Sequence, residues 1–160
     1  MHNKMKFFGL LHIKNNENKN LNFNSVDQDQ KILVYLKNAI LLDKQLKYYD
    51  QELILITNKK HYLKKLLKRL DYKIKLQSIK FKTFVPKKTH FYSCHFRVDV
   101  FKFFSKQINV YSVLLDLDIL ILNNPKKLLY CYENKIAMVN DISHNVIPAY
   151  GKTEILKKLN

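Results

Sequence analysis

The chain has 160 residues, is 47% hydrophobic, and carries 29 Lys and Arg against 13 Asp and Glu, a formal charge of +16. That length allows one domain with a real core, and that hydrophobic fraction excludes an intrinsically disordered chain. No apolar run in the sequence approaches the roughly 18 residues a membrane-spanning helix needs.

Arg69 and Arg97 are the only arginines. Lysine lacks the planar fork that grips phosphate and guanine bidentately, so the charge reads as a general anion-attracting field and no nucleic-acid partner is expected. Cys94 and Cys131 form no CxxC pair. They read as reduced, structural thiols rather than a disulfide framework.

In chain order, "KFFGLLHI" (residues 6–13) has the composition of a buried strand. The basic-then-apolar start lacks the small-residue cleavage site of a signal peptide, so a cytoplasmic location is the expectation. The Asn-rich segment that follows reads as a loop. From residue 31 to 49, Ile32, Leu36, Ala39, Ile40 and Leu46 fall on one helical face. "ELILITN" (residues 52–58) predicts a second strand, and Tyr62, Leu63, Leu66, Leu67 and Leu70 mark a second helix with lysines opposite. Its segment "NKKHYLKKLLKRLDYKIK" reads as a solvated basic face, with peripheral contact to an anionic membrane as the sharper alternative.

Tyr72, Ile74 and Leu76 alternate with polar residues, as in a strand with one wet face. An irregular connection carrying Pro86 leads to a third helix. Ser93 is its expected cap, Phe96, Val100, Phe103 and Phe104 its buried face, and His95 with Asp99 a surface contact. A strand follows over residues 111–115, then a short helix from Pro125, and "KIAMVND" (residues 135–141) reads as a further strand. The alternation predicts an α/β fold, a mostly parallel sheet with helices on both faces.

The stretch "YSVLLDLDILILNNP" sets Asp116 and Asp118 inside an apolar run. An unpaired carboxylate is expensive to bury, so the two belong at the strand's tip rather than in its body. Residues two apart on a strand share a side, and two adjacent carboxylates repel unless a cation intervenes. A hard divalent ion is the natural partner, because Mg²⁺ and Mn²⁺ take one or two carboxylates and complete their shell with phosphate oxygens and water. A pair of surface acids near lysines is the plainer alternative. Ile119–Leu122 is expected to pack beneath the site. His90, His95, His144 and Cys94 lack zinc-ligand spacing.

The segment "HFRVDVFKFFSKQINVYSVLLDLDILILNNP" resembles the donor-site region of GT-A glycosyltransferases, and most closely that of family-8-like bacterial polysaccharide or lipooligosaccharide sugar transferases. The resemblance implies a Rossmann-like nucleotide-diphospho-sugar transferase fold and transfer from a nucleotide-sugar of the UDP type to a glycan or lipid-linked acceptor. It implies Asp118 as the main Mn²⁺ or Mg²⁺ ligand and Asp116 as a contact to the donor ribose, the metal or both. Arg97 would contact the donor, and Leu10 through Ile13 would lie near the nucleotide base. A related pattern, "GGxYxDxD", is evoked less closely, since Gln107, Ile108 and Asn109 stand where its paired glycines would be.

The chain stops at Asn160, near where the acceptor-binding half of such enzymes begins. The expectation is therefore a single domain, residues 1–160, forming a donor-binding half with catalytic residues unassigned. A haloacid-dehalogenase-like phosphatase fits less well, because Ile119 and Leu120 replace the Gly and Thr of its "DxDGT" motif. The alternative of another class is a non-catalytic basic α/β module that binds nucleic acid or an anionic membrane surface.

Overall fold

The computed structural model describes residues 4–13, 28–86, 92–108 and 110–127, and all of these lie in the compact unit Met1–Tyr130. The expected strand over residues 135–141, Cys131, and His90 and His144 fall outside the described residues.

Four strands, β1 (Lys4–Leu11), β2 (Leu53–Thr57), β3 (Lys75–Ser78) and β4 (Val110–Leu115), form one sheet in the order β3-β2-β1-β4. Every neighbouring pair is parallel. Helix α1 (Gln28–Tyr48) joins β1 to β2, α2 (Lys60–Arg69) joins β2 to β3, and α3 (Arg97–Phe104) precedes β4. The chain therefore steps outward from β1 to β3, then crosses back over the sheet to add β4 on the other side of β1. Parallel crossovers are right-handed, so reversing direction moves the helix to the opposite face.

The packing follows that rule. Side chains alternate along each strand, and Phe7, Leu11, Leu53 and Leu55 join Leu36, Ala39 and Leu42 of α1 and Leu63 and Leu67 of α2 in one core. Phe8 and Ile56 face the other way, against Val100, Phe103 and Phe104 of α3. Phe8 meets the ring of Phe104 at 4.7 Å.

Three sequence expectations change. Ser93 does not cap α3: it lies inside a 3₁₀ turn, Tyr92–Phe96, and Phe96 is the residue that leads into the helix without a side-chain cap. The third strand begins at Lys75, later than the alternation from Tyr72 suggests, although Ile74 is already buried. The fourth strand is half-buried along its whole length. Among the described residues it is an edge strand, paired only to β1.

Candidate functional site

Ligands of open parallel sheets sit beyond the carboxyl ends of the strands, where the strand order reverses direction. Here that point lies between β1 and β4. Residues 116–118 leave β4 directly above it, since Gly9 of β1 is level with Leu115, the last residue of β4.

The chain turns at Leu117 and Asp118. Asp116 is exposed, Leu117 is buried and Asp118 is exposed again, so both carboxylates face away from the core while the leucine between them anchors the turn. The anchor depends on Gly9. A Cβ at that position would lie 2.5 Å from Leu117 Cδ2, so glycine supplies the space that Leu117 fills. Gly9→Ala is expected to expel the Leu117 side chain and destabilise the protein by about 1–3 kcal/mol. In a double-mutant cycle scored by urea unfolding, that loss should largely vanish when Leu117 is also alanine.

Asp116 forms a hydrogen-bonded ion pair with Arg97, the first residue of α3. The side chains are 57% and 40% exposed, so the pair orients the carboxylate more than it stabilises the fold. Asp99, expected as a surface contact of His95, is not at the surface. Asp99 is 6% exposed and accepts from the backbone amides of Lys82 (3.2 Å) and Thr83 (3.0 Å). Burial pushes its carboxyl up, but the Thr83 and Lys82 amides and the nearby Lys102 ammonium outweigh this and hold it below the usual range.

A carboxyl lower in the folded than in the unfolded chain stabilises the fold above the unfolded value of about 3.9 and loses that contribution as pH falls through the folded value. Asp99→Asn should therefore lower the urea midpoint at neutral pH, and the gap to the native protein should narrow in acid below about pH 4.

Asp118 makes no hydrogen bond or ion pair with any described residue. Its charge is felt by Tyr35 of α1, whose phenol is raised first by burial, then by Asp118 and by Cys94 of the 3₁₀ turn. Asp118 and Cys94 each act on Tyr35, and no periodicity or motif in the sequence singles out that phenol. Cys94 is free and exposed, not a structural thiol in the core.

The expected base-side residues are placed differently from one another. Leu10 is half-buried and packs on the core beneath α3. The Ile13 side chain is 8% exposed and belongs to the core beneath α1. The Ile13 backbone is clamped by Asn58 beyond β2, which accepts from its amide at 2.9 Å and donates to its carbonyl at 2.8 Å. Between them His12 stacks on Phe96 at 3.9 Å and meets Phe81 edge-on at 5.0 Å. The aromatic cluster therefore presents ring atoms at the end of β1, where the side chains of Leu10 and Ile13 turn into the core.

Ile119–Leu122 does not pack as a unit beneath the site. Ile121 alone is half-buried against α1, with its amide donating to Gln45 Oε1 at 3.3 Å, while Leu120 and Leu122 are 64% and 82% exposed. The reason is geometric: once β4 has ended, an extended segment turns only alternate residues inward.

Among the described residues, no group of three or more His, Cys, Asp and Glu side chains is gathered to hold a metal. Two exposed carboxylates beyond the strand ends suit an ion whose remaining positions are filled by phosphate oxygens and water. Among the described residues, no helix is long and apolar enough to cross a membrane. The fold and this edge define an α/β protein with a parallel, Rossmann-like sheet. Comparison with protein-family models, curated proteins and solved structures gives no match for the chain.

Proposed function

We propose that this chain is the nucleotide-sugar-binding half of a metal-dependent glycosyltransferase of the GT-A type, using a UDP-like donor and a glycan or lipid-linked acceptor. The observation that carries the proposal is the position of Asp116 and Asp118. They stand at the one place among the described strands where the order of a parallel sheet reverses, exposed and held by a buried residue between them.

Each side chain has a role in that reading. Asp118, which has no hydrogen bond or ion pair among the described residues, holds Mn²⁺ or Mg²⁺ together with the donor phosphates. Asp116, oriented by Arg97, contacts the ribose or completes the metal site. Arg97 keeps further N–H donors for phosphate oxygens. When bound there, the divalent ion stabilises the negative charge that builds on the departing nucleoside diphosphate.

The test is a thermal titration. At a UDP concentration about 100 times its dissociation constant, ligand linkage gives roughly 2.7 kcal/mol, which for a chain of this size raises the melting temperature by about 5–10 °C. The rise should require Mn²⁺ or Mg²⁺. No shift with UDP or GDP in the presence of either ion sinks the proposal.

A further inference from the structure

Among the described residues the sheet ends at β3, and the chain around that edge is strongly one-sided in charge. Between residues 59 and 82 there are ten Lys and Arg and one acid, Asp71. All ten basic side chains are exposed. On α2 they form a stripe, Lys60, Lys64, Lys65 and Lys68, opposite the buried Leu63, Leu66 and Leu67. The helix carries no acid in its first turn and no acidic residue anywhere along it.

The segment after β3 leaves this edge and passes to the α3 face. Over residues 79–86 the chain alternates, with Ile79 and Phe81 packed against the core under α3 and Lys80, Lys82 and Phe84 turned outward. Phe84 is 87% exposed, beside two lysines. Its segment is tied down by the bonds from the Lys82 and Thr83 amides to Asp99. Phe84 therefore belongs to the α3 face and lies outside this basic surface.

A shallow depression of about 480 Å³ opens between Asn58 and Ser78, lined by Lys59, Lys60, His61 and Lys65 at the start of α2. Backbone N–H groups and the positive end of the helix dipole favour an anion there. We infer that the β3 edge, formed by the α2 lysine stripe and this depression, is a docking surface for an anionic membrane. Lysine point charges suit a diffuse lipid surface, whereas a nucleic-acid reader would favour arginine, of which this surface has only Arg69. The inference is independent of the glycosyltransferase proposal, since it uses neither aspartate and no nucleotide.

The test is sedimentation of the full chain with phosphatidylcholine vesicles, with and without phosphatidylglycerol. Binding is expected only with the anionic lipid and should weaken with salt. The triple variant K60Q/K64Q/K68Q should bind about a hundredfold more weakly, at about fivefold per lysine. The variant K37Q/K44Q/K106Q, with the same charge change on exposed lysines elsewhere, should lose much less. Equal losses in the two variants overturn the inference, because the attraction would then be net charge alone. The chain has no tryptophan, so H61W, at the exposed position that lines the depression, gives a single reporter. Its emission should shift to the blue on anionic vesicles and be quenched by brominated lipid; bound protein with unmoved emission also overturns the inference. So does a K60Q/K64Q/K68Q variant that loses single-stranded RNA but keeps vesicle binding, which would assign the surface to nucleic acid.

Discussion

Asp118→Ala is expected to abolish the Mn²⁺-dependent stabilisation by UDP while leaving the melting temperature of the ligand-free protein almost unchanged. The two halves of that result have separate causes. Asp118 is exposed and touches no described residue by hydrogen bond or ion pair, so its loss falls among surface substitutions worth about ±0.5 kcal/mol. Its loss from the proposed site removes the carboxylate least committed elsewhere, and with it the 5–10 °C or so that linkage would supply. Asp116→Ala should behave differently. It frees Arg97 from its partner, and because that pair is well exposed the change in ligand-free stability stays below about 1 kcal/mol. UDP binding should weaken without disappearing, since Arg97 remains available to phosphate. If both variants keep the full metal-dependent shift, the aspartates are surface acids and the plainer reading holds. Differential scanning fluorimetry of the native chain and both variants, with and without Mn²⁺, decides it.

Much of the fold was legible because periodicity reports burial directly. Ile32, Leu36, Ala39 and Leu46 at helical spacing, and Leu53, Leu55 and Ile56 in one short run, are all buried where the pattern puts them. The edge position of β4 among the described strands was not legible, since an apolar strand reads alike whether one neighbour or two flank it. The acids show the limit most clearly. Asp116 and Asp118 drew attention as charges in an apolar strand, and both are exposed. Asp43 drew none and Asp99 only as a surface contact of His95, and both are buried.

A signal was nevertheless present for the buried pair. Asp43 falls on the seam of Leu36, Ala39 and Leu46, and Asp99 on that of Phe96, Val100 and Phe103, so each is a carboxylate at a core position of an amphipathic helix. Such a residue must find donors within the fold. Which donors these are depends on segments distant in sequence, Leu53 and Tyr72 for one and Lys82 and Thr83 for the other. Spacing alone could not name them.

Asp43→Ala should be the most destabilising single substitution considered, at about 2–4 kcal/mol, roughly 5–15 °C in melting temperature. The residue is 1% exposed and joins three parts of the chain. Its Oδ1 accepts from the backbone amide of Leu53 at 2.9 Å, at the first residue of β2. Its Oδ2 accepts from the Tyr72 hydroxyl at 2.9 Å and pairs with Lys47, one turn further along α1, at 2.6 Å. Lys47 is half exposed and can return to water when the carboxylate is removed, so the ion pair contributes little of the loss. The Leu53 amide cannot, because Leu53 is fully buried, and an unsatisfied buried donor accounts for about 1–3 kcal/mol. The cavity left in the α1 seam adds the remainder. Asp43→Asn keeps a carbonyl acceptor for Leu53 and a polar group facing Tyr72, so it should recover more than half of the loss. Urea unfolding followed by circular dichroism separates the cases: alanine well below asparagine places the stabilisation in the amide bond to β2, whereas equal losses would place it in the charge. Because α1 and β2 meet at this carboxylate, it also fixes the frame that carries Tyr35 towards Asp118 and Asn58 towards Ile13.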